Sequence, residues 1–206
     1  MGTSKDTPKD TSMLQTGNML EDIKKMRSRN HILRILTKYN KKVICEVGVE
    51  TGAYFKVLLQ SKPQIAVAVD LWRGDDFYMH TLNRSQDQID ELYNSMCIFA
   101  TDHPEHNIKI MRMHSHDAAI EFVDNYFDFV YIDADHRYEA VLNDMHCWWN
   151  KVKPGGILGG HDYRFGVASA LVRWGVVEAV HEFLGQYKLR SKFATVRNNW
   201  YIIKPD

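Results

Sequence analysis

At 206 residues, the chain is long enough for one domain with a full hydrophobic core. Its 26 Lys and Arg balance 26 Asp and Glu, so the formal net charge is zero, and no long basic run marks a nucleic-acid footprint. No apolar run approaches the roughly 20 residues of a membrane span, and the N-terminus lacks a signal-peptide core. Neither nucleic acid nor membrane is therefore expected as a partner. Cys45, Cys97 and Cys147 are an odd, widely spaced set. They read as reduced structural thiols rather than a disulfide framework or zinc site, which favours a cytoplasmic location.

Residues 1–15 begin with the polar run MGTSKDTPKDTS and read as a mobile head or linker, leaving 16–206 as a single domain. The linker reading allows the chain to be one domain of a longer protein. Leu20, Ile23, Met26, Ile32, Leu33, Ile35 and Leu36 have helical spacing, predicting a helix over about 18–39. It either covers the cofactor or buries a homodimer face. A strand follows at 43–47, then a helix at about 51–60 stopped by Pro63, and a second strand at 65–70. The segment 71–85 is polar and aromatic without a clear period. Trp72, Arg73, Phe77 and Tyr78 there read equally as a lid or acceptor wall and as packing residues. A helix near 86–101 precedes a third strand at 108–112. His103 and His106 read as solvent-facing loop residues. Ser115 is expected to cap a short helix to about Val123. A fourth strand, FDFVYID, ends at Asp133. The next helix, about 138–151, is expected to end before Pro154-Gly155-Gly156. Trp148 and Trp149 are adjacent on it, so only one is expected in the core. A fifth strand, ILGG, leads to His161-Asp162. A helix over about 167–186 and a hairpin of 189–196 and 199–204 complete the chain. Repeated strand–helix units predict an α/β, Rossmann-like, doubly wound and mostly parallel seven-stranded sheet. Helices cover both faces, and the closing hairpin adds the antiparallel part.

The most informative stretch is VICEVGVETG, Val43 to Gly52, followed by AVAVD ending at Asp70. A strand, a glycine turn opening a helix, and a strand ending in a carboxylate are the layout of a nucleoside-cofactor cleft. Gly48 and Gly52 stand as G-x-x-x-G, without the middle glycine that lets a backbone close on a pyrophosphate. Glu46 and Glu50 would repel a diphosphate and attract a cation. S-adenosylmethionine, with a cationic amino acid end and an adenosine end, suits that loop. Gly48 and Gly52 would admit its methionine part. Asp70 is positioned to accept the ribose hydroxyls. Asp133 and Asp162 end neighbouring strands, about 4.8 Å apart in a parallel sheet, so their carboxylates can converge. Such a pair calls for a cation, and Mg²⁺ suits oxygen ligands. His136 offers an imidazole that accepts a proton near neutral pH.

From about Lys42 onward the chain resembles the class I S-adenosylmethionine-dependent methyltransferases. FDFVYIDADHRYEAVLNDMHCWWNKVKPGGILGGHDY is similar to their small O-methyltransferase branch, which includes catechol, caffeoyl-CoA and sugar O-methyltransferases. The resemblance implies that Glu46 helps hold the cofactor's amino acid end. It also implies that Asp133 contributes to the cofactor site, and that adenine lies against His114, Ser115 and His116. In the catechol-like branch, carboxylates at the positions of Asp133 and Asp162 bind a divalent cation such as Mg²⁺, which orients the acceptor hydroxyls and lowers their pKa. This chain departs from that branch at Tyr163, where a ligating amide stands, and at His136, where a catalytic lysine stands. Asp135 or His161 could complete a metal shell. The expected activity is methyl transfer to a hydroxyl, with His136, Asp133 and Asp162 as the catalytic group. The histidine in place of lysine, as in the sugar O-methyltransferases, and the resemblance of the HDY segment favour a sugar acceptor such as rhamnose on a glycan or glycoside over a phenol or catechol. With a linker at its head, the chain would be the modifying domain of a longer glycan-building protein. A nicotinamide-dependent oxidoreductase, disfavoured by the missing glycine, and a non-catalytic nucleoside-binding module are the alternatives.

Overall fold

The computed structural model describes residues 11–74, 84–169 and 172–206. Among them the strands are β1 (Val43–Val47), β2 (Ile65–Asp70), β3 (Ile108–Arg112), β4 (Phe127–Ile132), β5 (Val152–Gly160), β6 (Val167–Ser169), β7 (Val172–Arg173), β8 (Phe193–Val196) and β9 (Asn199–Ile203). Seven of them form one sheet in the order β3-β2-β1-β4-β5-β9-β8, and β6 pairs with β7 in a separate ribbon. The first five strands are parallel, while β9 runs antiparallel to both β5 and β8. The order reverses at β1 and β4: the chain winds outward to β3, then returns to lay β4 on the other side of β1. A crevice at the carboxyl ends of these two strands is where such sheets bind ligands.

The helices are α1 (Thr11–Lys24), α2 (Ile32–Lys38), α3 (Ala53–Leu58), α4 (Gln86–Asp102), α5 (Ser115–Ile120), α6 (Tyr138–Trp149) and α7 (Val176–Gln186). Alternate strand residues point to opposite faces. Cys45, Val47, Val67, Val69, Val130 and Ile132 pack with α5, α6 and α7. Ile44, Ala66, Ala68, Phe129 and Tyr131 pack with α1 to α4. Both sheet faces are thus covered, which explains why the central strands are almost continuously apolar.

The structure revises several expectations. The single helix over 18–39 is interrupted: α1 ends at Lys24, Ser28 is extended, and a 3₁₀ turn at Arg29–His31 leads into α2. Ile23, Met26, Ile32, Ile35 and Leu36 all bury in one cluster, so the apolar spacing runs through the break. The helix over 167–186 begins only at Val176, after the β6–β7 ribbon. A Cβ on Gly175 would lie 2.4 Å from the Tyr138 backbone, so the chain enters α7 directly against the start of α6. Pro154-Gly155-Gly156 lies inside β5, absorbed by a register shift against β4. Trp148 and Trp149 are both buried, because α6 lies between two partners. Trp148 meets Phe122 and Phe127, and Trp149 meets Phe183 and Tyr187. His103 and His106 are half-buried rather than solvent-facing; His103 stacks on Phe99 at the end of α4. The three cysteines are free. No helix among the described residues is long and apolar enough to cross a membrane.

Candidate active site

A cavity of about 730 Å³ opens at the β1–β4 crevice. Its lining includes Glu46, Gly48, Asp70, His114, Ser115, Asp133 and His136. The sequence-derived candidates therefore come together, with Gly52 and Asp162 outside that lining.

The glycines serve the fold before they serve a ligand. Gly48 has φ +88°, and a Cβ there would lie 2.2 Å from the Asp133 carbonyl oxygen. It lets the turn after β1 press against the exit of β4. Gly52 has φ +76°, and a Cβ there would lie 2.1 Å from Met96 Sδ on α4. Its clearance thus faces the core rather than the cavity.

Glu46 is only 2% exposed, and its Oε2 has no hydrogen-bond partner. Burial raises its carboxyl well above the ordinary range, and the nearby Asp133 carboxylate adds to that. Such a group is costly to bury alone. Asp70 uses both oxygens locally: Oδ2 accepts from Glu50 N at 2.8 Å and Oδ1 from Trp72 N at 2.7 Å. Burial raises its pKa, partly offset by those backbone donors. It fixes the loop as well as facing the cavity. Glu50 pairs with Arg84, and its carbonyl accepts from Trp72 Nε1 at 2.9 Å. Trp72 is 2% exposed, so it is a packed wall residue. Phe77 and Tyr78 lie outside the described residues.

His114 occupies the N-cap position of α5, and Ser115 begins the helix instead of capping it. Ser115 Oγ accepts from Trp148 Nε1 at 2.8 Å and bonds the buried Asp144. Burial pushes Asp144 up to about 6. His116 is exposed beside Asp117.

At the ends of β4 and β5, one ligand atom each from Asp133, His136 and Asp162 lie within 4.8 Å of one another. His136 Nε2 is 3.1 Å from Asp162 Oδ2 and 4.0 Å from Asp133 Oδ1. His161 Nδ1 is 3.6 Å from Asp133 Oδ1 and 3.4 Å from Asp162 Oδ1. Burial raises Asp133, with His161, His136 and Arg29 pulling the other way. Burial also raises Asp162, but His161, His136 and Arg164 outweigh it and hold that carboxyl below its ordinary value. Arg164 Nε is 3.1 Å from Asp162 Oδ1, yet that oxygen has no aligned hydrogen-bond donor. Asp162 takes a left-handed φ of +48° and is pinned by Tyr163 N donating to Asn198 O at 2.9 Å. Two carboxylates and an imidazole are a donor set that could hold a divalent cation, and the 3.1 and 4.0 Å separations from His136 Nε2 lie within the about 4.2 Å between opposite octahedral ligands. Of the two candidate shell members, His161 adjoins the group. Asp135 instead turns to the backbone and side chain of Arg137. Tyr163 is turned onto α7, its hydroxyl 2.7 Å from His181 Nε2.

Two cavity residues escaped the sequence reading. Asp144 shares the buried face of α6 with Val141, Met145 and Trp148, so a carboxylate in an apolar stripe was the available signal. Arg29 sits in the 3₁₀ turn before α2, with Nη1 3.5 Å from Asp133 Oδ2. Its sequence neighbourhood, RSRNH, gives no hint of a long-range contact.

The doubly wound sheet and the crevice at its switch point define a Rossmann-like domain. Residues 45–163, more than half of the chain, match the family described as methyltransferase domain, and the chain belongs to that family. Its fold is similar to that of the O-methyltransferase NovP, at a TM-score of 0.59 and 14% identity, covering 93% of this chain and 80% of that one. The O-methyltransferase TomG from Streptomyces achromogenes, involved in tomaymycin synthesis and solved with S-adenosylmethionine, gives 0.58 at 11% identity, covering 95% and 91%. An O-methyltransferase from Bacillus cereus, solved with S-adenosylhomocysteine, gives 0.54 at 14% identity, covering 96% and 92%. Among curated proteins, an uncharacterized protein R132 of Acanthamoeba polyphaga mimivirus is 32% identical over 62 residues. That match spans 28% of this chain and 28% of the viral protein.

Proposed function

We propose that this chain transfers the methyl group of S-adenosylmethionine to a hydroxyl oxygen, with a sugar such as rhamnose on a glycan or glycoside as acceptor. The observation that carries the reading is one cavity lined by Glu46, whose Oε2 has no hydrogen-bond partner, and by Asp133 and His136, with Asp162 adjoining. Burial disfavours the ionised form of Glu46, and a cofactor ammonium group beside it would offset that cost. Asp70 faces the same cavity at the end of β2, where a ribose would be read.

When bound, S-adenosylmethionine supplies an electrophilic methyl group on a sulfonium. A cation held by Asp133, Asp162 and His161 would orient the acceptor hydroxyl and lower its pKa, leaving His136 free as a base. The chain's own contribution is alignment and proton removal. His136 takes the hydroxyl proton on a ring nitrogen as the new O–C bond forms and the S–C bond breaks. Asp162, 3.1 Å from Nε2, steadies the imidazolium that results. The histidine in place of the branch's lysine favours a sugar acceptor.

The test combines calorimetry and mass spectrometry. S-adenosylmethionine, S-adenosylhomocysteine and NAD are titrated, then rhamnosides and catechols are incubated with the methyl donor, with Mg²⁺ or with EDTA. Binding of the first two cofactors, no response to NAD, and a rhamnoside gaining the mass of a methylene are expected. Methylation of catechols alone would replace the sugar with a phenol. Equal turnover in EDTA would remove the metal, and a His136→Ala variant with an unaltered pH–rate profile would remove the base. Binding of NAD alone would overturn the methyl-transfer reading.

A further inference from the structure

We propose that Arg29 holds the α-carboxylate of the cofactor's amino acid end, so that the site selects a zwitterionic sulfonium cofactor over its decarboxylated counterpart. The inference rests on the methyl-donor reading above.

Arg29 lies outside residues 45–163, so it belongs to this chain's own opening segment rather than to the matched family region. The segment nonetheless delivers it to the cavity, which it lines together with Glu46 and Asp133. Two contacts fix its direction. Its guanidinium carbon stands 4.2 Å from the centroid of the Tyr54 ring, a cation–π geometry. The Tyr54 hydroxyl donates to the Arg29 carbonyl at 3.3 Å, tying the 3₁₀ turn to α3. The side chain is thus organised before any ligand arrives.

Its charge is only partly used. A guanidinium carries five N–H donors in a planar fork. Among the described residues its ion pair is the 3.5 Å approach to Asp133, which is long for a charge-assisted bond. The Tyr131 hydroxyl lies beside it as well. About a third of the side chain remains exposed. Of the three other arginines lining the cavity, Arg84 pairs with Glu50 and Arg137 with Asp135, and Arg73 stands three residues after Asp70, at the end of β2 where the ribose would lie.

An amino acid end carries an ammonium and a carboxylate on one carbon. Glu46 and Asp133 match the ammonium. Without a cation nearby, the same two anions would repel the carboxylate. Arg29 places that cation beside Asp133, so the wall presents both signs within a few ångströms. Arginine's fork also matches a carboxylate in two parallel hydrogen bonds, which a lysine cannot do.

The experiment is a two-by-two comparison by calorimetry. The parent chain and Arg29→Gln are titrated with S-adenosylhomocysteine and with its decarboxylated analogue, which lacks only the carboxylate. The parent is expected to prefer S-adenosylhomocysteine by roughly 10- to 100-fold. Arg29→Gln should lose that factor on S-adenosylhomocysteine and little on the analogue, bringing the ratio near one. Arg29→Lys, which keeps the charge but not the fork, should fall between. Thermal unfolding of each variant confirms that it is folded. Equal loss on both ligands would overturn the assignment, since a packing defect acting through Tyr54 does not distinguish them. A parent chain that binds both ligands equally would overturn it too. A parent chain that binds neither would overturn the methyl-donor reading and this inference with it.

Discussion

Asp144 costs stability, and the cost can be read as a function of pH. It is 9% exposed on the buried face of α6, and its carboxyl is raised from 3.8 to about 6. Burial is the main cause, the Ser115 hydrogen bond opposes it, and the Asp135 charge adds to it. The folded chain therefore holds this proton more tightly than the unfolded chain. Between about pH 4 and pH 6 folding takes up a proton, so stability falls as pH rises through that window. Above it, the ionised carboxylate makes the fold less stable by about 3 kcal/mol, and below it the contribution vanishes. Asp144→Asn removes the ionisation and keeps an oxygen to accept the Ser115 hydroxyl. Without ligands, the variant should exceed the parent by up to about 3 kcal/mol at neutral pH, or roughly 6–12 °C in Tm for a chain of this size. The difference should shrink toward zero near about pH 4. Urea unfolding followed by tryptophan fluorescence at a series of pH values measures it. A gain that stays constant across the series, or a variant less stable than its parent at neutral pH, would refute the linkage argument.

Glu46→Gln should raise stability, because it removes a carboxyl whose ionised form burial disfavours, yet weaken S-adenosylhomocysteine binding by about tenfold or more. Undiminished affinity would take Glu46 out of the site. Asp70→Ala should lower stability by about 1–3 kcal/mol as well as cofactor affinity, since its oxygens hold the Glu50 and Trp72 amides. A loss of affinity with an unaltered unfolding midpoint would contradict this dual role. Gly48→Ala should be severely destabilising, because the new Cβ meets backbone at Asp133. Gly52→Ala meets the Met96 side chain instead. Adding Met96→Ala to Gly52→Ala should therefore relieve the clash, leaving about 1–2 kcal/mol for the left-handed backbone and the cost of the Met96 truncation. Additive losses in denaturant unfolding would show that the predicted clash is absent.

The central strands were legible because burial on both faces leaves apolar runs bounded by polar turns; β1, β2 and β3 fall at their predicted residues. The carboxylates were legible for a related reason: Glu46, Asp70, Asp133 and Asp162 stand within or immediately after apolar strands, where an unpaired charge has no structural motive. The break after α1 was hidden because Ile23, Met26, Ile32 and Ile35 keep one face apolar through it. The β6–β7 ribbon was hidden for a similar reason, since a short apolar run fits helix or strand alike.

Local chemistry thus determined the winding of the sheet, the G-x-x-x-G turn and the acidic residues along its carboxyl edge, because each is encoded by neighbours a few positions apart. The tertiary structure decided which of those groups remain available. It turned Asp135 to Arg137, bonded Ser115 to Asp144, and engaged Asp70 in its own loop. It also brought Arg29 to Asp133, 104 residues away in sequence. The Ser115–Asp144 and Arg29–Asp133 pairings depend on where packing sets whole elements against one another, and no local spacing carries those distances.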